Sequence, residues 1–220
     1  FRDRIRAWTR PLAYLKQYEK HGYPVFQSEL GAFFCRPLLD LPLDDLSPHF
    51  IEYLESRRRT NGSFNNTPAL DGSDGHIMNT WWGLQALHII GRAEENKAAL
   101  IEWLRSCQLP NGGFTYQPKP AFAGVDGVDY TWAAVRALEL LGSEPANRSG
   151  CIAYLQSLAN IDGGFGDRSG WPSNPMGTCR AIDALAVLSS LEGPGPERRN
   201  SPRGRPSPSA ELKVFTIQLE

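Results

Sequence analysis

The hydrophobic positions of this chain recur in blocks. An aromatic residue followed by leucine appears three times, as Tyr53-Leu54, Trp103-Leu104 and Tyr154-Leu155. Each pair is followed at a fixed distance by a glycine turn ending in phenylalanine: "NGSF" at Asn61, "NGGF" at Asn111 and "DGGF" at Asp162. Gly62, Gly112 and Gly163 are 50 and 51 residues apart. A loop of variable length then leads to Thr80, Thr131 or Thr178. Counted from each threonine, apolar residues return at +4 (Leu84, Val135, Ile182), +6 (Ala86, Ala137, Ala184), +7 (Leu87, Leu138, Leu185) and +10 (Ile90, Leu141, Leu188). That spacing is one face of an α-helix. Gly91 and Gly142 follow at +11, where a helix ends on a left-handed residue.

Each unit therefore reads as helix, glycine turn, loop, helix. Glycine opens backbone angles closed to other residues, and the phenylalanine plugs the hairpin. A single hairpin cannot bury its own apolar face, so the units must stack. The alanines at +6, with Ala133, Ala134, Ala181 and Ala186, suit a crowded inner layer. The bulkier, charged first helices, such as "FIEYLESRRR" and "AALIEWLRSC", suit an outer one. The triplet Arg57-Arg58-Arg59 at the end of such a helix complements its dipole.

Outside the repeats the pattern changes. Residues 1–47 read as an N-terminal helical segment, with "RIRAWTRPLAYLKQYEKHG" kinked at Pro11, and as a candidate degenerate repeat. The three repeats occupy 48–192. Residues 193–210 form a Pro/Arg/Ser-rich linker that cannot pack a core and reads as disordered. In 211–220, "ELKVFTIQLE" alternates as the start of a truncated β-rich segment, which suggests a piece of a longer protein.

The formal charge of -1 removes nucleic acid as the default partner. No apolar run reaches the roughly 18 residues of a membrane span. Cys35, Cys107, Cys151 and Cys179 lie far apart with no CxxC pair and read as free buried thiols, which points to the cytoplasm. Nucleophile-elbow, phosphate-loop and H-E-x-x-H motifs do not occur.

The three repeats resemble the prenyltransferase and squalene-cyclase repeat, the unit of the α/α toroid. "EWLRSCQLPNGGF" is similar to that family's aromatic-leucine, glutamine, glycine-turn pattern; "YLESRRRTNGSF" has Arg58 and "YLQSLANIDGGF" has Ala159 at the glutamine position. The threonine-led second helix, "TWAAVRALELLG", looks closer to protein prenyltransferase β subunits than to triterpene cyclases. The resemblance spans about Ser47 to Leu191. It implies an all-α fold, a partial α/α toroid of stacked hairpins around an aromatic-lined cavity for an isoprenoid or another apolar chain.

The family's chemistry maps unevenly. Protein prenyltransferases hold zinc with an Asp and a Cys on one inner helix and a His on another, and the zinc activates a thiolate. In "VDGVDYTW" Asp126 matches the Asp and Val128 stands at the Cys; in "MGTC" Gly177 stands at the His. One ligand of three predicts absent or weak zinc, and no cofactor follows from the sequence. Asp126 and Asp129 are candidate catalytic residues, with helix capping as the other reading. The candidate substrate-binding residues are Trp82, Trp132, Lys119, Arg136 and Arg180. The cations suit a diphosphate and the tryptophans an isoprenoid. Positions +2 and +5 vary between repeats, as a lumen-facing surface should. Trp81 and Trp171 are further aromatic candidates, and His76 reads as a loop histidine. Asp44-Asp45, the nearest thing to a cyclase acid cluster, precede a helix and read as loop and cap residues.

Two functions follow. The first is a prenyltransferase-like domain that binds an isoprenoid or apolar chain, with prenyl transfer or terpenoid chemistry implied by the resemblance. The second is a non-catalytic toroid that serves as an interaction module for a protein partner or a further domain of the same chain.

Overall fold

A computed structural model describes residue 3 and residues 26–43, 48–69, 73–118 and 125–190. The predicted helix at 4–22, the linker at 193–210, the segment at 211–220, Asp44-Asp45 and Lys119 lie outside the described residues. The described helices are α1 (Phe26–Leu38), α2 (Pro48–Ser56), α3 (Ile77–Ile89), α4 (Lys97–Ser106), α5 (Val128–Leu140), α6 (Arg148–Gln156) and α7 (Pro175–Ser190). Among the described residues there is no extended strand, only isolated bridges. Helices α1, α3, α5 and α7 form one row, each packed on the next, and α4 and α6 lie against α5 and α7. The row is the inner layer that the alanine pattern predicts. Ala86, Ala137 and Ala184 are buried there, whereas Ala186 is exposed.

The repeated threonine has a definite task. Its hydroxyl accepts the backbone N–H of the turn phenylalanine in all three units: Phe64 to Thr80 at 3.0 Å, Phe114 to Thr131 at 3.0 Å and Phe165 to Thr178 at 2.9 Å. The first turn residue does the complementary job. Asn61, Asn111 and Asp162 accept the amide two residues on, at 3.0, 3.1 and 3.0 Å. Between them the glycines at 62, 112 and 163 adopt φ of 84°, 91° and 83°, the left-handed region. The bridges Arg58–Phe64, Gln108–Phe114 and Ala159–Phe165 close each turn. Thr131→Val, nearly isosteric, should therefore leave the Phe114 N–H buried without a partner. The expected loss is about 2 kcal/mol in urea unfolding. A loss within experimental error would show that the threonine is only a packing residue.

Stacking uses the same turns. The outer aromatic of one hairpin covers the turn of the hairpin before it: a β-carbon on Gly113 would come within 2.8 Å of the Tyr154 ring. Trp103 lies against Gly75 in the first loop and donates its indole N–H to Asp74 at 3.2 Å. Gln108 ties the second turn to the next hairpin, donating to the Asn147 carbonyl at 2.9 Å and accepting the Asn147 amide at 2.8 Å. Arg58, at the equivalent position, pairs with Glu94 instead. The arginine triplet thus departs from the dipole reading. Arg59 is buried and donates to the carbonyls of Ser73 (2.9 Å) and Thr67 (2.8 Å), clamping the first loop.

The third unit differs at its far flank. Leu84 and Val135, both at +4, are 3% and 1% exposed under the next inner helix, while Ile182 is 55% exposed. Cys107 and Cys151 are buried, and burial raises both thiols well above their ordinary range, so neither supplies a thiolate. The expectation of four buried thiols does not hold, since Cys35 is half-buried and Cys179 exposed. No helix among the described residues is long and apolar enough to cross a membrane.

Candidate functional site

The inner helices α3, α5 and α7 gather aromatic and charged side chains between them. Trp81 on α3 and Trp132 on α5 meet edge-to-face, with centroids 6.0 Å apart and planes at 83°. Arg136 lies over the Trp81 ring at 5.7 Å, and Arg180 of α7 over the Trp132 ring at 5.2 Å. Asp183 of α7 accepts the Trp132 indole N–H at 2.6 Å and lies 3.5 Å from the Arg136 guanidinium. Arg136 also pairs with Glu139 at 2.7 Å, and Arg180 pairs with Asp129. Two guanidiniums therefore face three carboxylates, an excess of one negative charge. A second aromatic group adjoins at the helix entrances, where His76 stacks on Tyr116 (5.4 Å) and meets Tyr130 edge-on (5.8 Å).

The structure thus brings Trp132, Arg136, Arg180 and Asp129 together. Trp82 is half-buried and packs against both parts of the hydrophobic core, apart from this group. Its neighbour Trp81 takes the place beside Trp132. Asp126 sits at the entrance to α5, where its carboxylate accepts from Asn111 at 2.6 Å and its carbonyl from Arg168 at 3.1 Å. Neither aspartate is the N-cap of α5; that residue is Gly127, and Asp129 lies in the first turn. Trp171 is half-exposed in the third loop beneath Arg168, 5.2 Å away. His76 is more than a loop residue, for it caps α3 through Nδ1, which accepts the Met78 amide at 3.2 Å. Trp81 is one of the aromatic candidates of the sequence, whereas Asp183, Tyr116 and Tyr130 are site residues that the sequence reading does not include.

The zinc site implied by the resemblance does not fit. The Asp126 carboxylate is engaged by Asn111, Val128 is fully buried, and residue 177 has no side chain. Among the described residues no three His, Cys, Asp or Glu side chains gather to hold a metal ion.

These features coincide with a known family. Residues 30–204 match the prenyltransferase alpha-alpha toroid domain, so the chain belongs to that family. Among solved structures it is similar to Candida albicans protein geranylgeranyltransferase-I complexed with GGPP. The TM-score is 0.60 at 19% identity, over 75% of this chain and 49% of that one. This chain therefore spans about half the length of that relative, and the likeness is one of fold. No curated protein matches it in sequence.

Proposed function

We propose that this prenyltransferase-like toroid domain binds an isoprenoid or another apolar chain against the inner helices, beside Trp132. The observation that carries the proposal is the Trp81–Trp132 pair flanked by Arg136 and Arg180. The half-buried Trp132 ring, backed by the buried Trp81, suits an unsaturated chain, and the adjoining guanidiniums suit a polar head. The GGPP-bound relative supports an isoprenoid as the ligand class. The carboxylate excess changes the head-group preference. Each guanidinium already has an anionic partner, so a diphosphate must compete with Asp129, Asp183 and Glu139.

In this reading Asp129 positions Arg180, and Asp126 orders the loop that enters α5. Lys119 is a proposed contributor from the same loop, and residues 1–47 a proposed degenerate hairpin that extends the inner row through α1. Prenyl transfer or terpenoid chemistry remains the reaction class implied by family membership. The unpaired thiols support a cytoplasmic setting.

The test is titration with a fluorescent prenyl alcohol and the matching prenyl diphosphate. Trp132→Ala should weaken both about tenfold, equivalent to about 1.4 kcal/mol. Arg180→Ala should weaken the diphosphate alone, and Asp129→Asn should tighten it by freeing Arg180. Failure of both ligands to bind the unmodified domain would leave the toroid as an interaction module.

A further inference from the structure

A cavity of about 650 Å³ lies between the C-terminal ends of α3 and α5 and the start of α4. Its apolar wall is Leu84, Leu87, Leu140 and Leu141; His88 and Lys97 are among its polar residues. The internal repeat provides a control for this cavity. Asn96-Lys97 at the start of α4 corresponds to Asn147-Arg148 at the start of α6, each five residues after a left-handed glycine, Gly91 or Gly142. In the later hairpin Arg148 extends to the last turns of α7 and donates to the Leu188 carbonyl at 3.2 Å. Lys97 points the same way, since a β-carbon on Gly142 would lie 3.8 Å from its ammonium. It donates to nothing among the described residues, and the space beside it is open.

The charges at this cavity are unequally satisfied. Arg92 lies 3.5 Å from Glu55, Glu94 pairs with Arg58, and Glu139 pairs with Arg136. Each of these has an opposite partner, whereas the Lys97 ammonium has none among the described residues. A leucine wall beside an exposed lysine that has no carboxylate partner among the described residues suits a chain with an anionic head, and the volume lies in the range of small-molecule sites. We infer that this cavity is a second ligand site, taking a small amphiphile whose carboxylate or phosphate meets Lys97 and whose apolar chain lies on the leucines. The cavity shares Glu139 with the Trp132 cluster, but the inference rests on Lys97 and the leucines, which the Trp132 reading does not use.

The experiment titrates the 220-residue chain calorimetrically with dodecanoate and with farnesyl monophosphate. Separately, acetylation of Lys97 is followed by mass spectrometry with and without each probe. At least one probe should bind, and saturating amounts should slow Lys97 acetylation at least fivefold. Lys97→Met should weaken binding about tenfold. Lys97→Arg should also weaken it despite keeping the charge, because arginine can close the cavity as Arg148 does. The probe that binds identifies the head group. Absence of binding by both, unchanged Lys97 acetylation at saturation, or affinity within twofold in Lys97→Met would each overturn the assignment.

Discussion

Gly112→Ala should destabilise the domain by about 3 kcal/mol or more, whereas Gly163→Ala should cost only about 1 kcal/mol. The two glycines occupy the same place in their repeats and have nearly the same backbone, φ 91° and 83°. Both substitutions therefore incur the strain of a left-handed alanine. What differs is the neighbour. A β-carbon on Gly112 would fall 2.1 Å from the carbonyl carbon and oxygen of Gly150, where the second turn abuts the start of α6. That obstacle is backbone and cannot rotate away, so the helix must retreat and disturb the Gln108–Asn147 bonds beside it. At Gly163 nothing lies within 4 Å. The difference between the variants therefore measures hairpin stacking with strain held constant. Urea midpoints for the two proteins decide it, and equal losses would show that strain accounts for the whole effect.

That contrast also shows what the sequence could and could not reveal. The 50-residue rhythm announced the hairpins because every unit needs the same few parts: a capping Asn or Asp, a left-handed glycine, a plugging phenylalanine and a threonine to receive its amide. These contacts lie within one unit, so spacing exposes them. The candidate site was less legible because it lies between units. Trp82 and Trp132 are not equivalent, standing at +2 and +1 from their threonines. The observed cluster follows +1 and +5 on successive helices, with Trp81 and Trp132 at +1 and Arg136 and Asp183 at +5, one turn apart. Arg180 at +2 and Asp129 at -2 join it across the α5–α7 interface. Aligning the helices on the threonine could have paired Trp81 with Trp132. Nothing in the spacing showed that the carboxylates of α7 would offset the arginine of α5. Tyr116 was still less visible, since it lies in a loop whose length varies between repeats.

A pH series should show stability falling as the solution is acidified from about 6.5 towards 4, by up to about 3 kcal/mol. The cause is His76, whose pKa is lowered to about 4 by burial, against an ordinary 6.5. The direction follows from which state binds the proton. Between those values the unfolded chain takes up a proton that the folded chain refuses, so acid favours unfolding. Above the unfolded pKa the neutral imidazole carries no penalty, and below about 4 the loss is complete. The rings packed around His76, Tyr116 and Tyr130, offer the imidazolium no carboxylate. Protonation would also remove the Nδ1 lone pair that accepts the Met78 amide, unfastening the start of α3 next to Trp81. Asp162 acts in the same sense, because the Gly164 amide holds its carboxyl below the usual value, but it titrates under the histidine window. His76→Asn keeps a side-chain acceptor for the cap and removes the titration. It should lower stability at neutral pH through lost ring packing, yet flatten the slope between pH 6.5 and 4. Urea unfolding at three pH values for both proteins is sufficient, and an unchanged slope in the variant would assign the acid sensitivity to other groups.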